Sequence, residues 1–592
     1  MNFLKNIKRA AFALVGLCLC IGSVRSFSAA AEEEADGVIM PPAVVLRADT
    51  AADCSKEKIS AASNLVISVD ENLNVTAADG GSLGKFDSFY GNIAAYPVVS
   101  LAEGKEDAFV AYIKEKGIWD ISVLGTSSVL KKVRGELPEI RGVLDMRLAE
   151  NVDDAFEAVK ETNSSRARTV LLNAAAASRE LVDYIQARLL TVWVNAENDE
   201  ELCRGIFSGA YGIVTQSPEK AHSICQDMGA DSFVRTSYMI GHRGVSFSDQ
   251  TKISENSLAA YRYAIDCGAT HIETDLKVTA DNHIVIMHDD TLNTSPTGTG
   301  VGVESSTLEE IKTHRLKDGQ EIPTLDEALT FLKGKPVVLI LEIKSAKENI
   351  LPLLREQLQK HDMFDQCVIA TFYTEQLLRA AELIPEVPTG LFGGLTTDRG
   401  FAASVKLVCS LNTAWFCTPS GAEAYSYADA TEKLRDRGLT AWGNPDSKTA
   451  TGAYASYSRG ICGLMLDAPQ DILELPYNLK AEKEYEVALG KTEKLTAVLQ
   501  KYAGEERVQC GYKLLSGTLE KEGDTALAVL TCTTETPAGE FTYVSETVTL
   551  RAVSSGDKSD KNGCGSSTAG YAAMAAPLIF AVAARLRKRK IK

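Results

Sequence analysis

Glu273 and Asp275 stand two residues apart in the segment Ala269-Thr-His-Ile-Glu-Thr-Asp-Leu. On an extended strand that spacing points both side chains to one side. Two carboxylates so placed repel each other unless a proton or a hard cation lies between them, and oxygen ligands favour Ca²⁺ or Mg²⁺. Val337-Val-Leu-Ile-Leu-Glu342-Ile-Lys344 repeats the spacing, adding a third carboxylate for a divalent site and a lysine beside it. Arg243, in Tyr238-Met-Ile-Gly-His242-Arg243-Gly244, offers a second fixed positive charge for a phosphate anion. Two histidines, His242 and His288, each follow a short apolar run, the second in Ile284-Val-Ile-Met-His288-Asp-Asp.

Such groups must be held at the ends of strands. From about 237 to 477, short apolar runs alternate with stretches of helical spacing, the pattern of a parallel sheet with its active side chains at the carboxyl ends of the strands. The same alternation runs from 36 to 235, through Pro97-Val-Val-Ser-Leu, Gly142-Val-Leu-Asp-Met and Thr191-Val-Trp-Val. The two stretches form an internal repeat: Leu190-Thr-Val-Trp-Val-Asn through Ala210-Tyr-Gly-Ile-Val-Thr-Gln-Ser-Pro parallels Leu439-Thr-Ala-Trp-Gly-Asn-Pro through Gly463-Leu-Met-Leu-Asp-Ala-Pro. The first copy holds no histidine before His222, so it reads as a degenerate, noncatalytic barrel or partial barrel.

The ordered set His-Arg-Gly, Glu-Asn, Ile-Glu-x-Asp, His-Asp and Leu-Glu-Ile-Lys resembles the signature of the glycerophosphodiester phosphodiesterase family, over about 240 residues that end at Gly463-Leu-Met-Leu-Asp-Ala-Pro469. The resemblance implies an α/β chain with a (β/α)₈ TIM-barrel catalytic domain at 237–477. It implies His242 and His288 as the acid–base pair, Glu273, Asp275 and Glu342 as ligands of Ca²⁺ or Mg²⁺, Arg243 and Lys344 on the phosphate, and Glu255 as an orienting residue. The implied reaction is metal-dependent hydrolysis of a glycerophosphodiester to glycerol 3-phosphate and an alcohol. Thr294 stands where the family has a basic residue, and the Trp442 segment reads Trp-Gly-Asn-Pro. Both departures leave the headgroup open, and Trp442 is kept as a candidate substrate contact.

The remaining segments bear on location. Residues 1–31, a basic start followed by an apolar run and small residues, read as a cleaved signal peptide. Residues 480–553 read as a small β-rich domain and 554–567 as a Ser/Gly-rich linker. Residues 568–592, apolar and then basic, read as a transmembrane anchor that leaves the enzyme at the cell surface facing outward. Of thirteen cysteines, Cys510 and Cys532 alone share one strand-rich segment, where a bridge between sheets is an open alternative. A net charge of −17 repels a phosphate backbone and argues against nucleic acid. Two other readings remain open: phospholipase-type cleavage of a lipid or of a polymeric glycerophosphate, and a surface binding or adhesion protein.

Overall fold

The apolar runs become the strands of two closed parallel barrels. The computed structural model describes residues 38–148, 154–292, 298–393, 398–417, 430–443, 449–491 and 493–554. The expected signal peptide, nearly all of the linker, the expected membrane segment and Thr294 lie outside the described residues. Among the described residues no helix is long and apolar enough to cross a membrane.

In the first barrel eight parallel strands run from Ala43–Arg47 through Asn64–Val69, Tyr96–Ser100, Ser122–Gly125, Arg141–Asp145, Thr169–Asn173 and Thr191–Asn195 to Gly212–Thr215, which pairs back onto Ala43–Arg47. The second barrel runs from Tyr238–Gly241 through His271–Val278, Val338–Ile343, Cys367–Thr371, Thr389–Gly393, Ala414–Cys417 and Ala441–Gly443 to Gly463–Leu466, which closes on Tyr238–Gly241. Both carry an antiparallel excursion after the second strand, at Asn74–Thr76 and at Ile284–Ile286. Nearly every strand position is buried, as strands covered on both faces require. Helices intervene with ordinary caps. Ser257, for example, accepts a hydrogen bond from the Ala260 amide at the start of Leu258–Asp266.

The ladders align the two copies residue by residue. Gly212 is registered with Trp193 as Gly463 is adjacent to Trp442 across its own ladder. Each glycine makes room for its tryptophan: a Cβ on Gly212 would lie 2.5 Å from the Trp193 ring, and one on Gly463 2.0 Å from the Trp442 ring. Trp442 is therefore fully buried, stacked on Tyr238 with ring centroids 5.2 Å apart. The expected substrate contact is instead a core side chain, turned inward below the mouth because a glycine on the neighbouring strand leaves space there.

The barrels meet base to base. Helix ends and loops that precede strands in one touch those that precede strands in the other: Arg188 Nε donates to the Asp365 carbonyl at 2.8 Å, Asn163 Nδ2 to the Pro385 carbonyl at 3.0 Å, and Asp120 pairs with Arg437 at 2.7 Å. One apolar cluster, including Val143, Leu189, Trp193, Val368, Phe416 and Trp442, runs through both interiors. The two mouths consequently open at opposite ends.

A seven-stranded sheet lies against this waist. Its long strands are Gly504–Gly517, Thr525–Thr536 and Gly539–Val553, and it takes in Ser232–Phe233 from the inter-barrel connection and Pro476–Lys480 from the end of the second barrel. The buried Arg179 guanidinium ties the parts together, donating to the carbonyls of Phe207, Val234 and Val544 and to Asn478 Oδ1. Cys510 and Cys532 lie in this one sheet, on neighbouring strands, so the alternative of a bridge between two sheets does not apply.

Candidate active site

The mouth of the second barrel is assembled by strand ends and one strained turn. The His242 amide donates to the Leu466 carbonyl at 3.0 Å, extending the closing ladder by one bond and fixing His242 at the rim. The chain then turns sharply. Arg243 (φ 53°) and Gly244 (φ 80°) are left-handed, as is Asn256 (φ 54°), whose amide donates to the Arg243 carbonyl at 2.9 Å. Left-handed non-glycine residues cost energy and cluster where a site demands their geometry. A side chain at Gly244 would also run into the Ala260 backbone at 2.7 Å.

This turn aims three groups at the carboxylates. The Arg243 amide donates to Glu273 Oε2 at 2.8 Å, Asn256 Nδ2 donates to Asp275 Oδ2 at 2.7 Å, and Arg243 Nη1 pairs with Glu255 Oε1 at 2.7 Å. Arg243 Nε also lies 3.4 Å from Asp275 Oδ2. Lys344 Nζ is 2.5 Å from Glu342 Oε1 and 3.6 Å from Asp275 Oδ1. Glu255 thus pairs with Arg243, and Arg243 and Lys344 flank the acidic group.

Glu273, Asp275 and Glu342 are buried, and each has an oxygen within 4.8 Å of the others'. Glu273 Oε1 and Asp275 Oδ1 make no hydrogen bond. Burial, then the charges of Asp275 and Glu342, push the Glu273 carboxyl well above its ordinary range. Burial and then Asp275 raise Glu342 to about 7, against the pull of Lys344. Three buried carboxylates with unbonded oxygens, two of them with raised proton affinity, outnumber the two cations beside them, Arg243 and Lys344, and form a set of hard donors that fits a divalent cation.

His242 sits beside this cluster, and His288 follows the short strand that pairs with the strand of Glu273 and Asp275. His242 Nδ1 lies 2.6 Å from Asp467 Oδ1, and its Nε2 is 3.9 Å from Glu273 Oε2. Asp467 also accepts from Ser246 Oγ at 3.1 Å. With Asp467 accepting the Nδ1 proton, Nε2 is left to face the reacting groups. His288 follows Met287, whose amide donates to the Asp275 carbonyl at 3.0 Å, and its Nδ1 lies 2.7 Å from Asp289 Oδ1. Lys277, on the same strand face as Glu273 and Asp275, pairs with Asp290 at 2.6 Å next to this histidine. Phe372, half exposed, stacks on Phe392 and lies 5.4 Å from Lys344 Nζ.

The orienting roles of Asp467, Asn256 and Asp289 are the part that spacing left unassigned. All three stand inside or beside quoted motifs, and that adjacency was the available signal.

Residues 242–421 match the Glycerophosphoryl diester phosphodiesterase family. A glycerophosphodiester phosphodiesterase of Caldanaerobacter subterraneus subsp. tengcongensis is 32% identical over 163 residues, 26% of this chain and 65% of that protein. YhdW of Bacillus subtilis, which also carries the glycerophosphodiester phosphodiesterase name, is 30% identical over 189 residues, 29% of this chain and 75% of that protein. Among solved structures, a phosphodiesterase of Oleispira antarctica in complex with sn-glycerol-3-phosphate is 22% identical, covering 40% of this chain and 94% of that one with a TM-score of 0.35. The chain thus spans between about two thirds and three quarters of the length of these two sequence relatives.

Proposed function

Because the chain belongs to the glycerophosphodiester phosphodiesterase family, we propose that its second barrel hydrolyses glycerophosphodiesters to glycerol 3-phosphate and an alcohol, with Ca²⁺ or Mg²⁺ held by Glu273, Asp275 and Glu342. The observation that carries this reading is the buried acidic triad with unbonded oxygens, set beside an imidazole whose other nitrogen is held by a carboxylate.

A bound cation supplies charge that polarises the phosphodiester and offsets the negative charge of the transition state. The chain's own side chains do the rest. Arg243 and Lys344 hold the phosphate anion. His242, kept by Asp467 in the tautomer that frees Nε2, and His288, held by Asp289, divide the proton transfers: one takes the proton of the attacking hydroxyl and the other protonates the departing alcohol. A glycerol hydroxyl of the substrate can attack first, through a cyclic phosphate.

The half-exposed Phe372 beside Lys344 favours, as a second reading, a lipid or polymeric glycerophosphate cleaved by the same groups. The amino-terminal and carboxyl-terminal sequence patterns support an exported enzyme anchored at the cell surface. Protease treatment of intact cells should remove activity from them, and activity that persists would count against that placement.

The direct test is release of glycerol 3-phosphate from glycerophosphocholine by the full chain, with Ca²⁺, Mg²⁺ or chelator. Release that needs the metal supports the reading. Turnover of a lysophospholipid alone would move it to the lipid form, and a folded, metal-loaded protein inert on both would overturn it.

A further inference from the structure

Two thiols outside the active site face each other in the waist sheet. Gly511 is opposite Thr531 in an antiparallel ladder, so the next pair outward is Cys510 opposite Cys532. Both belong to the apolar cluster on the catalytic-barrel side of the sheet; Cys510 is fully buried and Cys532 keeps 8% of its surface exposed. The nearness of the two sulfurs holds the Cys510 thiol up and brings the Cys532 thiol down to about 7, against burial. Cys532 is also opposite Tyr543, whose hydroxyl lies 2.8 Å from that of Tyr454 on the catalytic barrel.

Buried cysteines commonly serve as small apolar residues. Two on directly opposed positions are a special case. Opposed residues of an antiparallel pair have Cβ atoms roughly 4.5–5.5 Å apart, and a disulfide takes about 3.5–4.5 Å. A small approach of the strands closes the difference.

We propose that Cys510 and Cys532 are a redox-active pair that an external disulfide oxidises to a cross-strand bond, clasping the sheet that joins the two barrels. The Cys532 thiolate attacks one sulfur of a low-molecular-weight disulfide such as oxidised glutathione, expelling one thiolate and leaving a mixed disulfide. Cys510 then gives up its proton, and its sulfur attacks the Cys532 sulfur, expelling the second thiolate. The protein loses two hydrogens and two electrons, and oxidised glutathione gains them as two thiols. Cys532 attacks first because it has the lower proton affinity and the residual exposure.

The test uses the full chain, purified reduced, equilibrated with oxidised glutathione, alkylated and mapped by mass spectrometry. The expected result is a linked pair of peptides carrying Cys510 and Cys532, a mass lower by two hydrogens and a Tm several degrees above that of the reduced protein. In Cys510→Ser the resolving sulfur is gone, so Cys532 should be trapped as a glutathione adduct. If that variant does not fold, the peptide map of the unaltered chain decides by itself. Full alkylation of both cysteines in the folded protein, or a glutathione adduct that persists on Cys532 with Cys510 present, would overturn the proposal.

Discussion

The two barrel mouths stand on one ladder register and fill it differently. Ala43 pairs with Gly212 as Tyr238 pairs with Gly463, which sets Arg47 at the position of His242. Carrying the register across the next ladders sets Val66 and Ser68 at the positions of Glu273 and Asp275, and Ser100 at that of Glu342. No carboxylate of the acidic triad has a counterpart. Arg47 spends its guanidinium on Asp49, Asn195 and Glu197, with contacts from 2.5 to 3.1 Å. In the second mouth burial leaves carboxylate oxygens without partners and so creates a demand for a cation. In the first, the charge of Arg47 is already met, and no such cluster of carboxylates lies among its described residues. The scaffold is shared, and the chemistry lies in a handful of side chains at the strand ends.

The most severe way to break the contrast is to give the second mouth the residue of the first. His242→Arg removes a proton-transfer group, and glycerol 3-phosphate release should fall on the order of 10²–10⁴-fold while circular dichroism stays unchanged. A weaker change acts one step back from the cation: Asn256→Ala releases Asp275 Oδ2, and titration of turnover with Ca²⁺ or Mg²⁺ should show roughly 10–100-fold lower metal affinity.

Next in size is a buried acid of the first barrel that serves the fold alone. Asp183 is raised to about 7, first by burial, against the pull of Arg179 and a 2.7 Å hydrogen bond from Thr236. A carboxyl raised above its unfolded value favours folding while protonated, so its contribution is full at acid pH and is lost as pH rises through about 7. Tm should therefore decline as pH rises from about 4 to about 7 and level off above, and Asp183→Asn should flatten that slope. Smallest of all, Arg47→Ala should leave turnover unchanged and move stability by about 1 kcal/mol or less, since its pairs are partly exposed. A large loss of turnover in that variant would show that the mouths are coupled and end the contrast.

The carboxylates and cations of the site were legible because their spacing of two is the strand period itself, and Glu273, Asp275, Glu342 and Lys344 all meet in one place. Asp467 was not legible as the partner of His242. The two lie 225 positions apart, and only closure of the last strand on the first makes them neighbours. Trp442 failed for a different reason. In a three-residue strand, Ala441–Gly443, sequence gives no measure of depth, and the decisive fact is the space left by Gly463 on another strand. The internal repeat announced two related barrels, but the base-to-base contact is made by loops such as 187–190 and 437–440, where no periodicity speaks.

The shared interior also fixes where this chain can be cut. A truncation just before Tyr238 follows the repeat in the sequence and severs a core in the structure, stripping the cover from Ile340, Val368, Phe416 and Trp442. The first barrel, whatever it binds, is the floor of the second. A fragment with only the strands of the second barrel would begin with an apolar end open to water, so exchange or minimisation of this chain has to proceed with both barrels kept as one piece.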